Sequence, residues 1–434
     1  MRAIILSIGD ELTLGQTVDT NSAWISRQLA AVGCDVVRHV TVGDSQSDTE
    51  SAIREAVPLC DFLICSGGIG PTDDDLTRQA LAEVMGMELE LDAAWMARLE
   101  EFFRKLNRPM SPLNRIQAMV PRGATMIENA VGTAAGIAAT IAAPADPASL
   151  HPGVPLNCRV FCMPGVPKEM KAMFARDVLP HVQAAGGGAV ILSRTLHTFG
   201  MGESNVADLL KEHGDLMRRD RNPSVGTTVS EGVVSLRLNA RFPFADQAAE
   251  ELAATEAVCR AALGDLIYGQ DEDTLPAVVA RMLLQKWKAS VVTAESCTGG
   301  LLAKYLTDTP GSSGYFRQGY ITYQNEAKTN LLGVPAELLA EHGAVSEPVA
   351  EAMAKGAQSR SGAAFALAIT GIAGPDGGTP AKPVGTVCIA LAGPVGVQVR
   401  TFIFSGDREM VRDRSAKMAL TLLRFQLLGK TVPF

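Results

Sequence analysis

The stretch Val291-Val292-Thr293-Ala294-Glu295-Ser296-Cys297-Thr298-Gly299-Gly300-Leu301-Leu302-Ala303-Lys304 decides how the C-terminal part of the chain folds. β-Branched residues lead in, a turn of small and polar residues follows, and an apolar-periodic run then starts. That order spells strand, tight turn, helix. Ser296 falls on the turn, where a side chain is exposed while its backbone stays fixed. Gly299 and Gly300 let backbone approach a ligand, and a helix start offers unpaired N–H groups to an anion. Downstream, Tyr320-Ile321-Thr322-Tyr323-Gln324-Asn325-Glu326-Ala327-Lys328 forms a second polar cluster. A serine with no evident histidine partner, together with that lysine, points to a Ser–Lys hydrolase. Serine is also an ordinary helix cap, and spacing alone leaves both readings open.

AESCTGG is followed in order by YQNEAK, by GAVSE from Gly343 to Glu347, by TGIAGPDGG from Thr370 to Gly378, and by KPVGTV from Lys382 to Val387. This series resembles the CinA C-terminal domain. The resemblance implies hydrolysis of the amide of nicotinamide mononucleotide, with no cofactor for this domain. On that reading Ser296 is the nucleophile and Lys328 its base. A lysine titrates near about 10.4 in water, so burial has to lower it before it accepts a proton at neutral pH. Backbone N–H groups around Thr298, Gly299 and Gly300 are the expected oxyanion donors. Cys297 is the rival nucleophile, although neighbours on a tight turn point in different directions. Tyr323 and Asn325 share a segment with Lys328, so they are expected in the same pocket. Thr370 is placed to hydrogen-bond the lysine or the substrate. Gly371 and Gly374 open a glycine- and proline-rich loop suited to close approach by a nucleotide. Arg408 is the candidate phosphate partner, because a guanidinium grips phosphate in bidentate fashion, and Arg412 is the fallback.

The chain has 434 residues, 47% of them hydrophobic and 20% charged, so it is globular and too long for one ordinary core. A net charge of −8 argues against broad affinity for nucleic acid. Cys34, Cys60, Cys65, Cys158, Cys162, Cys259, Cys297 and Cys388 show no paired CxxC spacing. They read as buried thiols of a reducing compartment, not as a zinc site. Ala3 to Ile8 is too short for a signal-peptide core, and the Ala- and Gly-rich run from Gly132 to Ala143 is too short to span a bilayer. A cytoplasmic protein without a membrane partner is expected.

Residues 1–180 alternate apolar strands (Ala3–Ile8, Asp35–Val42, Asp61–Cys65, Val160–Met163) with amphipathic helices (Asn21–Val32, Asp48–Val57, Asp75–Met85). That order predicts an α/β domain with a mostly parallel sheet covered on both faces, and ligands of such sheets bind beyond the carboxyl ends of the strands. The polar loops follow strands. Gly67, Gly68 and Gly70 can cradle a phosphate, or simply make a turn before an acidic helix start. Asp10, Glu11, Asp44, Asp74 and Glu169 form a carboxylate-rich rim suited to a hard divalent ion with a phosphorylated substrate, although loop carboxylates are also often merely solvated. SGGIGPTDDDLT, with GDELTLGQTVDTN and MPGVPKEM in support, resembles the molybdopterin-binding fold shared by MoaB, MoeA and the CinA N-terminal domain. That resemblance implies a metal-dependent ADP-ribose pyrophosphatase. Thr72 and Asn21, which those motifs contain, join the ligand-binding set. Molybdopterin-type ligand binding is the rival for this domain. The whole chain resembles full-length CinA. Prolines 144, 147, 152 and 155 mark a loop insertion between Ala142 and Pro155.

Gly186-Gly187-Gly188 marks a boundary. Residues 187–268 then read as a small α+β domain whose Phe199-Gly200-Met201-Gly202-Glu203 loop is similar to a KH-type clamp, with Arg218, Arg219 and Arg221 nearby in sequence. A clamp needs more than glycines, and in an acidic chain nucleic acid is not the expected partner. Residues 271–434 form the α/β amidase domain, closed by a long helix from Arg408 to Leu428. The alternative in a different class is a non-catalytic regulatory protein of competence or DNA damage. A homodimer acting on small nucleotides is the expected assembly.

Overall fold

The structure, a computed structural model, describes residues 1–143, 156–186, 190–218 and 220–434. The four prolines of the expected insertion, with Gly187, Gly188 and Arg219, lie outside the described residues. The chain forms two compact units, Met1–Leu192 with Ala240–Glu250, and Ser193–Asn239 with Glu251–Phe434.

In the first unit, β1 (Arg2–Ile8), β2 (Asp35–Val42) and β3 (Phe62–Ser66) precede a two-stranded antiparallel pair, β4 (Leu89–Leu91) and β5 (Met119–Pro121). Then come β6 (Thr125–Ile127), β7 (Gly136–Ala143) and β8 (Leu156–Met163). The main sheet runs β2-β1-β3-β8-β7-β6. Its first four strands are parallel, and β7 and β6 are antiparallel to their neighbours. Successive residues of β1 bury alternately. Ile4, Leu6 and Ile8 enter one core, Ala3 and Ile5 the other, as expected of a sheet with both faces covered. The antiparallel edge is what pattern reading misses. β7 reads GIAATIAA, and its small residues carry little of the alternation that marks a strand.

A four-stranded sheet, most of it in the second unit, comprises β9 (Val190–Phe199), β10 (Ser224–Ser230), β11 (Val233–Phe242) and β12 (Ile267–Gln270), ordered β10-β11-β9-β12. A second sheet follows, built from β13 (Val291–Glu295), β14 (Phe316–Ile321), β15 (Phe365–Gly371), β16 (Thr386–Gly393) and β17 (Gly396–Ile403). Its order is β14-β13-β15-β16-β17, parallel across the first three strands and antiparallel beyond. Val291, Phe365, Leu367 and Ile369 pack on the face covered by the helix Arg408–Leu427. The smaller Val292, Ala294, Ala366 and Ala368 face the helix Glu347–Ser361. The central position of β13 puts the turn after it beside the ends of both β14 and β15. Among the described residues no helix is long and apolar enough to cross a membrane.

Candidate functional site

β13 ends one residue before Ser296, whose amide still bonds Ile369 O on β15 at 2.9 Å. Thr322 N bonds Glu295 O on the other side at 2.8 Å. These two bonds bring the carbonyls of Thr322 and Tyr323 alongside the serine. The helix Asn325–Leu332 then turns Lys328 back over it. Lys328 Nζ lies 2.9 Å from Thr322 O, 3.2 Å from Tyr323 O and 3.3 Å from Ser296 Oγ. A neutral amine has two N–H bonds and one lone pair. The two carbonyls accept the two N–H bonds, so the lone pair is left for the serine hydroxyl. Lys328 is 1% exposed, and among the described residues it has no ion-pair partner. Burial holds its ammonium below the usual lysine range.

Glu295 is wholly buried, and its carboxylate accepts from Gly300 N (3.0 Å), Leu302 N (3.1 Å) and Ala303 N (2.8 Å). The anion that the start of the helix Leu301–Thr307 attracts is therefore this side chain. This corrects the oxyanion assignment. Gly300 N is taken by Glu295, and Gly299 N bonds Ser296 O at 3.0 Å. Among the described residues the amides of Cys297 and Thr298 make no backbone–backbone hydrogen bond on the turn; both lie toward the Cys297 thiol. Gly299 and Gly300, at φ 58° and 95°, make the turn possible. Cys297 points away into the apolar core, and burial pushes its thiol up to about 12.

Thr370 does not reach the lysine. Its hydroxyl donates to Ala344 O at 2.8 Å and ties the Gly343–Glu347 loop to β15. Tyr323 is about half exposed, and its phenol oxygen accepts from Arg408 Nη2 at 2.9 Å. Arg408 Nη1 donates to Gly374 O at 2.7 Å, so this guanidinium spans from Tyr323 to the loop after β15. Arg412, one turn further along the same helix, donates to Thr298 O at 2.8 Å, and its Nε is buried without a partner. Arg412 thus reaches the serine turn itself, and Arg408 the two segments beside it. Asn325 is exposed at the start of its helix. Gly371 is glycine because β16 leaves no room: a Cβ would lie 2.7 Å from Val387. Glu295 is the residue that sequence reading missed, since an acid five residues upstream of the amide it caps matches no local capping pattern.

In the first unit the loops after β1, β2, β3 and β8 share one rim, as parallel strands require. Asp10 and Asp44 exchange bonds there, each carboxylate accepting from the other's amide at 3.0 Å. Burial raises Asp44, and the charges of Asp10, Asp74 and Glu11 add to the rise. Asp74 is lowered by its bond from Thr72. Glu169 is held elsewhere, accepting from Asn129 Nδ2 at 2.6 Å. The five expected ligands are therefore not gathered into one set, and among the described residues no group of three or more His, Cys, Asp or Glu is arranged to hold a metal ion. The Asp10–Asp44 pair does fit an ion that arrives on a phosphate, because Mg²⁺ commonly takes only one or two carboxylates besides its substrate. The loop glycines have internal reasons. A Cβ on Gly67 would lie 2.1 Å from Ile8 O, one on Gly68 2.3 Å from Thr77 Oγ1, and one on Gly70 2.4 Å from the Asp75 carboxylate. Thr72 N donates to that carboxylate at 2.8 Å. Asn21 stitches two loops, donating to Ser66 Oγ at 3.1 Å and Gly165 O at 2.8 Å, while its own carbonyl oxygen is buried and unpaired. In the middle segment, the ring of Phe434 covers the open side of Gly200, where a Cβ would lie 2.1 Å from it.

Comparison with known proteins matches residues 272–427 to the CinA C-terminal domain, 193–269 to the damage-inducible protein CinA KH domain and 4–184 to a probable molybdopterin binding domain. A putative competence-damage inducible protein of Symbiobacterium thermophilum is 46% identical over 440 residues, covering 99% of each chain. A CinA-like protein of Geobacter sulfurreducens is 42% identical over 429 residues, covering 99% of this chain and 100% of the relative. Among solved structures, a competence-damaged protein (CinA) superfamily protein of Klebsiella pneumoniae is 38% identical with a TM-score of 0.35, covering 36% of this chain and 96% of its own.

Proposed function

The chain belongs to the CinA family, and from that premise we propose that its C-terminal segment hydrolyses nicotinamide mononucleotide to nicotinate mononucleotide and ammonia. One observation carries this reading: a buried lysine with two carbonyl acceptors and a serine hydroxyl as its third neighbour. Ser296 Oγ attacks the carboxamide carbon while its proton passes to Lys328 Nζ. The oxyanion forms toward the amides of Cys297 and Thr298. The C–N bond breaks as Lys328 returns the proton to the departing nitrogen, which leaves as ammonia. Water then attacks the acyl-enzyme, with Lys328 again as base, and nicotinate mononucleotide is released. Arg412 and Arg408 are the candidate partners for the 5′-phosphate. Ammonia release from nicotinamide mononucleotide by the wild type, absent in a folded Ser296→Ala chain, is the test. Undiminished release by that variant would sink the proposal.

For the N-terminal segment we infer a diphosphate-bearing nucleotide of the ADP-ribose type, supported by the paired carboxylates of Asp10 and Asp44 at the strand ends. A divalent ion accompanying that ligand would neutralise phosphate charge and activate a water. Asp10 and Asp44 would hold it. AMP release from ADP-ribose, followed with and without divalent ions, separates hydrolysis from binding alone.

A further inference from the structure

The helix Arg408–Leu427, which carries both arginines of the site, is tied to the middle segment by a chain of polar groups that runs from the half-buried Tyr305 to the exposed Glu231. Tyr305 Oη donates to Asp413 Oδ1 at 2.5 Å. Asp413 Oδ2 pairs with Lys417 Nζ at 2.9 Å, one turn along the helix. Lys417 in turn meets Glu231 at its carbonyl oxygen (3.1 Å) and its carboxylate (3.2 Å). Asp413 and Lys417 each have side chains only 12% exposed, whereas Glu231 is 76% exposed, so the helix end of the link is shielded and the Glu231 end faces solvent. Glu231 sits on the tight turn between β10 and β11 with φ 50°, a left-handed conformation unusual for a residue with a side chain. Gly232 follows at φ 76°, and a Cβ there would lie 3.4 Å from Arg414 Nε, so the turn is seated against the helix. Arg414 itself holds Ser405 O at 2.8 Å, just before the Asp407 cap. Glu231, Tyr305 and Asp413 line the same cavity of about 610 Å³ as Arg408 and Arg412.

We propose that Glu231 is a positioning residue of the amidase: through Lys417 and Asp413 it fixes the first turns of the last helix, and so sets where Arg408 and Arg412 meet the phosphate end of the substrate. This rests on the amidase reading above and gives the middle segment a part in that reaction. The chemistry is consistent. Lys417 pairs with both Asp413 and Glu231, which draws these carboxylates to itself and away from Arg408 and Arg412. Arg412, whose Nε has no partner, thereby keeps capacity for an outside anion. Without Glu231, Lys417 keeps only Asp413, and the turn loses its one charged tie to the helix among the described residues.

The test uses the full chain with Glu231→Ala and with Glu231→Gln, which keeps an acceptor oxygen for Lys417. Hydrogen exchange is measured across Arg408–Lys417. Steady-state kinetics are measured on nicotinamide mononucleotide and on nicotinamide riboside, which lacks the phosphate. Glu231→Ala should quicken exchange in that segment and raise KM for the mononucleotide roughly fivefold to tenfold, with kcat within about twofold. The riboside should respond little, and Glu231→Gln should recover most of the loss. Unchanged exchange in a folded Glu231→Ala chain overturns the inference, as does an equal loss on both substrates. If the wild type turns over neither substrate, the amidase reading fails on its own, and unchanged exchange would still overturn the link to Glu231.

Discussion

Lys328 Nζ stands 3.3 Å from Ser296 Oγ with both of its other hydrogen-bond directions filled by backbone carbonyls. On the proposed amidase reading, removing either partner leaves the other without its role. Lys328→Met should lower kcat by about 10²- to 10⁴-fold, the usual share of a general base. Lys328→Arg should not recover it, because a guanidinium does not deprotonate in this range. Ser296→Ala should leave no acyl-enzyme to trap. Ammonia release and mass spectrometry of the quenched enzyme measure both effects.

Burial lowers the Lys328 pKa, and the sign of the pH dependence follows. The folded value lies below the unfolded one of about 10.4. Between the two values the unfolded chain holds the extra proton, so stability rises with pH across that window. Below the folded value both states are protonated and the penalty is complete. Lys328→Met should therefore exceed the wild type in urea stability most at acidic pH, with the gap closing as pH approaches 10. The rate should show the same group, with kcat/KM climbing as the amine loses its proton and levelling above the folded value.

Cys297 offers an internal control. Its thiol is buried and raised to about 12, so almost no thiolate exists at neutral pH. Cys297→Ala should keep kcat within about threefold while costing on the order of 1 kcal/mol of stability through the small cavity. Thiol alkylation of the native protein should leave the proposed ammonia release intact. Rapid inactivation by iodoacetamide, blocked by substrate, would move the nucleophile to the neighbouring position.

The two arginines should not behave alike. Arg408 is spent on Gly374 O and Tyr323 Oη, whereas Arg412 keeps a buried Nε without a partner. A charge-assisted bond to phosphate contributes about 1.5–3 kcal/mol. Arg412→Ala should therefore raise KM for the mononucleotide by about tenfold or more. Arg408→Ala should raise it less and also loosen the loop after β15. Kinetics on both variants, with the riboside as reference, decide the order.

Much of this was legible in the chain itself. β13 and the last helix announce themselves through apolar period and flanking turn residues, and the helix ends within a residue of where pattern places it. Ser296 and Lys328 are legible for the same reason, because each follows a strand whose end is clear. Thr370 misleads because a strand-end position says where the residue is, not which way its hydroxyl turns; Ala344 captures it. Glu295 was invisible as a cap, since its three donors are assembled by the turn it closes. The carboxylates of the first unit show the limit most plainly. Loop acids after parallel strands share a rim, yet Glu169 is drawn off by Asn129 from a separate loop.

That rim carries the last prediction. Asp44 is raised by burial and by Asp10, Asp74 and Glu11, so its folded value lies above the unfolded one of about 3.9. The folded state then holds the proton more tightly, and stability contributed by this group falls as pH rises through that window. At neutral pH the repulsion is fully present. Asp44→Asn should accordingly raise the melting temperature of the first unit's transition when no divalent ion is present. An ion alone should do little, since among the described residues no three acids are arranged to hold it. An ion together with ADP-ribose should stabilise the wild type strongly, because the diphosphate completes the coordination. Asp10→Asn and Asp44→Asn should each lose most of that joint effect, and any metal-stimulated AMP release with it. Calorimetry in the four combinations of ion and nucleotide measures this directly. A full response to the ion alone would mean that a complete metal site forms without the nucleotide. No response to the pair would leave the two aspartates as a structural clasp between the loops after β1 and β2.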